Sequence, residues 1–426
     1  MTGTAFLVRE EHGHWVGEVA AAVHAAGLRA VLLAPPVSAA ERAELESVVD
    51  DIIAVDDVYD AEALAAVISS LDPAPAGVLT GSDGAIASTA RTAELLGVAR
   101  CPAATFELAR NKFAVREVLA AAGLPGPGHA LIADAAQAAQ VAELVGLPAV
   151  VKPLNGAGSN LIRVVSTVDE LADAYRLLAR RLPESADARY HRPLSGLDGE
   201  ALDPATVFLV EGMLRGPEYA LDVVVRDGVV EPVEILDKPL IDERKFELAL
   251  SCPPPGLTEE RAALIASAAV AAVRALGLDN TVAHVEVIDD ETRGPTIVEV
   301  NAGRPAGSIM PLLEKLRTGV DLFAELVALA LGRPAPDRQP PQLPIPLGML
   351  ILYASGTGRL EAIHGLDELA ELPEVLNVIT TVTPGQVLGD EQEVYGVNVV
   401  VAGFADHEEL IALHAEASAM IKLELS

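Results

Sequence analysis

Short apolar runs alternate with alanine-rich stretches over the first 105 residues of the chain. The runs AFLV, RAVLLA and DIIAV predict β-strands, and the stretches near 15–26 and 38–48 predict helices between them. Strands that alternate with helices predict a parallel sheet whose crossover helices cover its faces. We therefore expect residues 1–105 to form an α/β domain.

The next unit of this pattern, residues 77–97, places a polar loop between a strand and a helix. The loop reads Gly-Ser-Asp-Gly and contains Ser82 and Asp83. Loops at the carboxyl ends of strands are where open α/β sheets bind ligands, and free amides at a helix start favour anions. The alternative is an ordinary helix cap made by Ser82 or Asp83.

Two valine-rich stretches between residues 284 and 308, VEV and VEVN, carry acids where a strand is normally apolar. A period of two puts Glu299 and Asn301 on one face of the second strand, and Val298 and Val300 on the other. The sequence RGP between the stretches predicts a turn. The two strands should therefore form a hairpin.

That hairpin would bring Glu286 opposite Glu299, close to Asn301. Carboxylates held this close repel each other unless a cation lies between them. Two carboxylates and an amide are the hard oxygen ligands that suit Mg²⁺, which takes the rest of its shell from water and substrate phosphates. The alternative is an antiparallel strand pair with one solvated face.

The middle of the chain adds two lysines and a glycine-rich loop. Residues 106–128 predict an amphipathic helix that contains Lys112, and a strand before Pro153 contains Lys152. The loop NGAGSN (155–160) leads into another β-rich run, so neither a dinucleotide-binding loop nor a Walker-type phosphate loop fits. A hairpin tip whose amides fold over a polyphosphate does fit. A solvated lysine is the alternative for Lys112.

Residues 207–236 alternate apolar and polar positions, which predicts an antiparallel meander. Glu211 ends its first strand, and Glu218 follows after a glycine-containing turn. Backbone groups that leave a strand suit the edge of an adenine ring, and a nearby carboxylate suits ribose hydroxyls. A strand end with a solvated glutamate is the alternative.

Several segments lack periodicity. Residues 181–206 predict an exposed connector, and 237–257 predict a proline-flanked loop that contains Lys238. The proline-rich stretch 332–346 predicts a linker. Residues 347–426 then predict a small α+β module without a catalytic constellation.

The charge balance excludes some classes of partner. The chain carries 62 acidic and 30 basic residues, a net charge of −32. Such a field disfavours nucleic acid and membrane surfaces, so an anionic ligand must be met by local positive groups. Two cysteines provide no disulfide framework, and we see no signal peptide or apolar span of transmembrane length. We expect a cytoplasmic protein with small-molecule partners.

The order of these features resembles the ATP-grasp superfamily of carboxylate-amine ligases. The features are a helical lysine, a strand lysine, a glycine-rich hairpin, a strand-end glutamate and paired carboxylates with E-x-N, and they cover about 1–335. The C-terminal module, with GMLILYASGTGRLEAIHG, VTPGQ and VVVAG, is similar to the terminal domain of bacterial L-amino acid ligases, which make dipeptides.

The resemblance implies an ATP-grasp fold that combines α/β and α+β parts. The implied units are an N-terminal parallel-sheet domain (1–105), an ATP-grasp domain (106–335) with a lid subdomain at about 128–212, a linker (336–346) and a C-terminal α+β domain (347–426).

The resemblance also implies roles for individual residues. Those implied to bind ATP are Lys112, Lys152, Gly156, Gly158, Ser159, Glu211, Gly212, Met213, Leu214 and Glu218. Those implied to hold Mg²⁺, normally as two ions with Mn²⁺ as a substitute, are Glu286, Glu299 and Asn301. The implied catalytic residues are Arg304, Lys238 and His284, and those implied near the carboxylate substrate are Ser82, Asp83, Gly307 and Ser308. The family usually reads E-x-N-x-R, whereas here one more residue precedes Arg304.

The implied reaction activates a carboxylate with ATP as an acyl phosphate and joins it to an amine, releasing ADP and phosphate. A closing lid would keep water from the acyl phosphate. The alternatives are a carboxylase or purine-pathway ligase whose acid is bicarbonate or formate, and a nucleotide-binding module without turnover. Dimers are common among similar enzymes, so a homodimer is one option, and the sequence leaves the oligomeric state open.

Overall fold

The structure is a computed structural model, and it describes most of the chain. The described residues are 3–10, 15–243, 245–307, 310–338, 343, 345–353, 356–388 and 395–426. In this part of the chain no helix combines the length and the apolar character needed to cross a membrane. Ser308, which the resemblance places near the substrate, and part of the linker lie outside the described residues.

The N-terminal domain is a parallel sheet, as the sequence predicts, and its strand order is β3-β2-β1-β4. Helices cover both faces, so the apolar residues of the inner strands are buried throughout. The strands are β1 (Thr4–Val8), β2 (Arg29–Ala34), β3 (Asp51–Ala54) and β4 (Gly77–Leu79). The helices are α1 (Trp15–Ala25), α2 (Ala39–Leu45), α3 (Ala61–Leu71) and α4 (Ile86–Leu95).

The single amphipathic helix predicted from residue 106 is wrong, because two helices occupy this stretch. These are α5 (Ala103–Arg110) and α6 (Lys112–Ala121). Asn111 separates them, and its side-chain oxygen accepts the N–H groups of Phe113 and Ala114. Asparagine is a favoured residue at the start of a helix, so the chain can end one helix and begin another here. The pattern of apolar residues does not show the break. Lys112 therefore begins a helix instead of lying within one.

A second sheet, antiparallel, has the strand order β5-β10-β6-β7. Its strands are β5 (His129–Ile132), β6 (Ala149–Pro153), β7 (Arg163–Val165) and β10 (Phe208–Gly212). Helices α7 (Ala138–Val145) and α8 (Val168–Arg181) pack on it, and a short ladder joins β8 (Leu194–Ser195) to β9 (Ala201–Leu202). Short 3-10 turns lie at Ala135–Gln137, Leu182–Glu184 and Ala188–His191. We call this unit, 129–212, the lid sheet unit.

The central sheet has the strand order β15-β14-β11-β12-β13-β16-β20-β18. Its first five strands are β11 (Glu218–Arg226), β12 (Val229–Ile241), β13 (Glu247–Cys252), β14 (Thr281–Asp290) and β15 (Gly294–Ala302). The helices of this region are α9 (Glu259–Ala275), α10 (Met310–Thr318) and α11 (Leu322–Ala330). Helix α9 packs on one face, while α11 and α1 from the N-terminal domain share a core on the other. The sheet thus joins the N-terminal domain to the rest.

The loop predicted at 237–257 is wrong, because most of this stretch belongs to β12 and β13. Strand β12 pairs with both neighbours, and its register with β13 shifts between Asp237 and Leu240. Pro239 lies in that shift, where a residue without an N–H breaks the ladder. Lys238 is therefore held on a strand in the middle of the sheet.

The C-terminal residues extend the central sheet. The strands are β16 (Leu347–Tyr353), β17 (Gly358–His364), β18 (Val375–Thr380), β19 (Val387–Leu388), β20 (Tyr395–Ala402) and β21 (Lys422–Leu425), and the helices are α12 (Leu366–Ala370) and α13 (His407–Met420). Strand β16 pairs with β13 on one side and with β20 on the other. Strands β17, β19 and β21 form a small sheet of their own. The predicted α+β content is confirmed, but its main strands share one sheet with the preceding domain.

Candidate active site

A cavity of about 740 Å³ lies between the lid sheet unit and the central sheet. This volume is within the range of sites that bind small molecules and cofactors. The sequence-predicted residues that line it are Lys112, Lys152, Gly156, Gly158, Ser159, Glu211, Gly212, Met213, Leu214, Glu218, Lys238, His284, Glu286, Glu299, Asn301, Arg304 and Gly307. Ser82 and Asp83 are absent from its described lining. The fold therefore gathers residues from distant parts of the sequence into one cavity.

The predicted hairpin is confirmed as β14 and β15, with Glu286 paired opposite Glu299. A register shift follows this pair, between Glu286 and Val287. Val298 falls in the shift and lines the cavity beside Glu299, while Val300 stays in the core. The prediction that Val298 and Val300 share a face is wrong for this reason.

Lys112 connects the start of α6 to both the hairpin and the glycine-rich loop. Its Nζ lies 2.8 Å from Glu299 Oε1 and donates a hydrogen bond of 2.6 Å to the Gly156 carbonyl. The predicted hairpin around loop 155–160 is confirmed, because β6 pairs with β7. A cation thus lies where the acidic hairpin and the glycine-rich loop meet.

Glu211 is buried in the lid sheet unit between two cations. Its carboxylate contacts Lys152 and accepts a hydrogen bond of 2.7 Å from Arg116 Nε. Burial opposes ionisation, but Arg116 and Lys152 outweigh it and lower the pKa of Glu211 to about 2. Glu211 thus anchors the strand, and the chain continues into Gly212 and Met213 along the cavity. Sequence reasoning missed Arg116, which resembles any other helical arginine.

Lys238 lies among three carboxylates on the floor of the cavity. Its Nζ is 2.8 Å from Glu218 Oε1 and 2.9 Å from Glu286 Oε1, and it also contacts Glu247. The lysine side chain is only 1% exposed. Burial alone would lower its pKa, but the three carboxylates raise it well above the usual value. Glu247 was missed because it lies within the stretch 237–257 that was predicted as a proline-flanked loop.

His284 is fixed by Asp222, its cross-strand partner on β11. Nδ1 lies 2.9 Å from Asp222 Oδ1, and the Asp222 carboxylate also accepts the Ala306 N–H. Burial would lower the pKa of His284, but Asp222 outweighs it and raises the pKa to about 9. Nε2 has no hydrogen-bond partner among the described residues and lies 3.8 Å from Glu286. His284 is therefore a protonated group at the cavity wall.

Arg304 reaches the N-terminal domain. Two residues separate it from Asn301, whereas the family pattern E-x-N-x-R has one. Gly303 has φ of +90°, which turns the chain after β15, and a Cβ there would lie 2.8 Å from the Ile86 side chain. Arg304 Nη2 lies 3.0 Å from Asp83 Oδ1. The turn at Gly303 thus allows Arg304 both to line the cavity and to contact Asp83.

The helix-cap alternative for Ser82 and Asp83 is wrong. Helix α4 begins after Ala85 without a side-chain cap. Ser82 is buried, and its hydroxyl accepts the Glu10 N–H at 3.3 Å. Burial raises the pKa of Asp83, but Arg304, Arg110 and Arg189 hold it well below its usual range. Asp83 is an anion surrounded by guanidinium groups.

Arg189 is the least expected of these groups. It belongs to the segment predicted as an exposed connector, yet it lies 3.2 Å from Asp83 and its neighbour Tyr190 is 1% exposed. The exposed-connector prediction is therefore wrong at this point. No local signal could have found Arg189, because its role depends on a contact across 106 residues.

The donor set on the cavity floor fits a hard divalent cation. Glu286, Glu299 and Asn301 lie on neighbouring strands and line the same cavity. Among the described residues, the acids Glu218, Glu247 and Glu286 bring carboxylate oxygens within 4.8 Å of one another. Carboxylate and amide oxygens are the ligands that Mg²⁺ prefers. The residues present could hold such an ion.

Two stretches of the chain match known family models. Residues 145–312 match the family model of the ATP-grasp domain. Residues 350–426 match the model of L-amino acid ligase C-terminal domain 2. The first match covers the described cavity lining except Lys112, and the second covers most of the C-terminal extension of the central sheet.

The chain matches curated relatives over only part of their length. The uncharacterized protein y4rH of Sinorhizobium fredii is 30% identical over 331 residues, 77% of this chain and 64% of that protein. Alanine–anticapsin ligase of Bacillus subtilis is 25% identical over 306 residues, 68% of this chain and 58% of the ligase. The chain thus spans less than two thirds of the length of either relative.

A solved structure shows the same fold. The L-amino acid ligase from Bacillus licheniformis has a TM-score of 0.78 at 23% identity, covering 100% of this chain and 99% of that one. The fold class expected from the sequence, an ATP-grasp fold of α/β and α+β parts, is confirmed. The chain therefore combines an ATP-grasp domain at residues 145–312 with an L-amino acid ligase C-terminal domain 2 at residues 350–426.

Proposed function

We propose that the chain is an ATP- and Mg²⁺-dependent carboxylate-amine ligase. It joins an amino acid or related acid to an amine, most simply a second amino acid, and releases ADP and phosphate. The observation that carries this is the cavity in which Lys112, Lys152 and Arg304 meet the acids Glu286 and Glu299. Such a mixture of charges suits a phosphate chain together with a cation.

The first step must bring two anions together. A carboxylate oxygen of the acid attacks the γ-phosphorus of ATP, ADP leaves, and an acyl phosphate forms. Lys112 and Lys152 neutralise the phosphates, and Arg304 steadies the acyl group. The chain carries a net charge of −32, so these local cations have to supply the attraction.

Magnesium would be held by Glu286, Glu299 and Asn301. When bound, it supplies charge neutralisation for the phosphate oxygens. Lys112 and Lys238 contact two of these acids, so both lysines are placed to exchange a carboxylate partner for a phosphate. Met213 and Leu214, at the end of β10, would take the adenine, and Glu218 the ribose.

The second step forms the amide. The amine nitrogen attacks the carbonyl carbon of the acyl phosphate, phosphate leaves, and the nitrogen loses a proton. The loop 155–160 would exclude water meanwhile, because water would return the acid. The L-amino acid ligase C-terminal domain supports an amino acid as the substrate class.

The test is phosphate release from ATP and Mg²⁺, with amino acids and small carboxylic acids presented singly and in pairs. We expect release with particular pairs and a product whose mass equals the two substrates less water. Phosphate release with bicarbonate or formate alone would favour a carboxylase or purine-pathway ligase. No turnover with any pair, while ATP still raises the melting temperature, would favour a binding module.

Glu299→Gln tests the assignment of the cavity. We expect a loss of turnover of about a hundredfold or more with an unchanged melting temperature, because a metal ligand of a polar site is removed. The control is Glu117→Gln, whose carboxylate pairs with His129 and is absent from the described cavity lining. Full activity of Glu299→Gln would contradict the assignment.

A cytoplasmic location and a homodimer complete the proposal. Cell fractionation checks the first, and size-exclusion chromatography with light scattering checks the second.

A further inference from the structure

The 3-10 turn at Ala188–His191 supports the glycine-rich loop from behind. Asn155 Nδ2 donates to the Arg189 carbonyl at 2.9 Å, and Asn160 Nδ2 donates to the Tyr190 hydroxyl at 3.3 Å. A Cβ on Gly156 would lie 3.3 Å from the same hydroxyl. Asn155 and Tyr190 are both buried. The turn and the loop therefore form one packed unit.

The same turn reaches the N-terminal domain through Arg189. Its Nη1 lies 3.2 Å from Asp83 Oδ2, and its Nη2 lies 3.9 Å from Glu10 Oε1. Asp187 orients the guanidinium from the turn itself, with 2.7 Å between Arg189 Nε and Asp187 Oδ2. Arg189 is 14% exposed, so little of its charge is screened by water.

Asp83 is also the partner of the arginine at the other side of the site. Arg304 Nε lies 3.1 Å from Asp83 Oδ1, so the two carboxylate oxygens receive guanidinium groups from different parts of the fold. Arg304 borders the cavity and Arg189 supports the loop. One carboxylate thus links the glycine-rich loop to the substrate side of the cavity.

We propose that Arg189 is a positioning residue that couples closure of the glycine-rich loop to the placement of Arg304, through their shared partner Asp83. This rests on the proposed ligase function. With the link intact, the loop stays closed while Arg304 holds the acyl phosphate. Without it, water reaches the acyl carbon: its oxygen bonds to that carbon, the bond to phosphate breaks, and acid and phosphate are released without amide.

The first test reads the position of the loop and needs no substrate. Arg163 is exposed in β7, directly after the glycine-rich loop, so trypsin can report on the loop by producing a fragment that begins at Val164. In the full-length protein without ligands, we expect Arg189→Ala to be cut there roughly tenfold faster than wild type, because a charge-assisted contact that closes the loop is lost.

The matched control is Arg176→Ala. Arg176 lies on α8 of the same unit and pairs with Asp173 at an exposed position, 2.6 Å apart. We expect its cleavage to equal that of wild type. Arg189→Lys keeps the charge but loses the planar contact, so its rate should lie between the two. If Arg189→Ala fails to fold, Arg189→Lys alone decides.

The second test is the ratio of phosphate released to amide formed with a productive substrate pair. We expect a ratio near one for wild type and Arg176→Ala, and a ratio several times larger for Arg189→Ala. A merely structural role would lower both products together and leave the ratio unchanged.

Cleavage of Arg189→Ala and Arg189→Lys at the wild-type rate would overturn the inference, and so would an unchanged ratio. If wild type forms no amide from any pair, the proposed function fails, while the cleavage comparison still decides whether Arg189 holds the loop.

Discussion

The lid side and the floor of the cavity carry opposite charge balances. On the lid side, Lys152 of the lid sheet unit and Arg116 of helix α6 share one acid, Glu211. On the floor, Lys238 contacts three acids, Glu218, Glu247 and Glu286. The lid side thus has a surplus of cations and the floor a surplus of anions. A ligand that complements both sides must carry negative charge towards the lid and positive charge towards the floor. A phosphate chain with a bound divalent cation has this distribution of charge.

Removing the buried lysine of the floor should have the largest effect. In Lys238→Met, three neighbouring acids would lose the lysine that they share, which should lower the free energy of unfolding by about 3 to 5 kcal/mol. Mg²⁺ should restore part of the loss, because a bound cation stabilises the folded state. Urea denaturation with and without MgCl₂ measures both effects.

The control for that variant is Lys315→Met, whose lysine pairs with Asp321 at an exposed position. Its stability should barely change, and Mg²⁺ should have no effect on the difference. A Lys238→Met protein as stable as wild type in the absence of Mg²⁺ would contradict an acid surplus.

Removing the acid of the lid side, Glu211, should have the second largest effect on stability. Glu211→Gln leaves Lys152 and Arg116 buried without a counter-charge, so we expect a loss of about 2 to 4 kcal/mol. Urea denaturation measures the loss, and Glu117→Gln serves as the exposed control. A loss below that of the control would mean that the two cations find other partners.

The pH dependence of the same pair follows from the pKa of Glu211, about 2 in the folded chain and 4.5 in its usual state. A lowered pKa stabilises the fold above the usual value, and this stabilisation falls as pH decreases towards 2. The stability difference between wild type and Glu211→Gln should therefore be constant above pH 5 and smaller at pH 3. Denaturation at both pH values measures it, and an equal difference would contradict the lowered pKa.

Removing one acid of the floor should have the smallest effect. Glu247 Oε2 is buried and has no hydrogen-bond partner among the described residues, and Lys238 keeps two other acids. Glu247→Gln should therefore change the free energy of unfolding by less than about 1 kcal/mol, since lost attraction and relieved repulsion offset each other. A loss as large as that of Glu211→Gln would remove the contrast between the two clusters.

The acidic hairpin could be predicted from sequence because its information is local. Alternation of valine and acid defines two faces, and the turn residues between the strands define the register of Glu286 against Glu299. The shift that turns Val298 into the cavity could not be predicted, because an unpaired residue in a strand leaves the composition of the strand unchanged. The faces of the two hairpin strands could thus be predicted for every residue discussed except Val298.

Other parts of the site depend on distant contacts. Pro239 made the surroundings of Lys238 resemble a loop, although neighbouring strands hold it in a sheet. Arg189 lies in a segment without periodicity, and its role depends on a contact with the distant Asp83. The cation and anion surpluses follow from such contacts, so composition could predict only that local cations were needed.

The pairing of β16 with β13 has a consequence for shortening the chain. A protein cut at the proline-rich linker would keep the whole cavity, yet the backbone N–H and C=O groups of β13 would lie open at the margin of the sheet. Such a margin is a template for strands of other molecules, so the shortened chain should aggregate. The C-terminal strands therefore protect the remainder of the protein from self-association by occupying that margin.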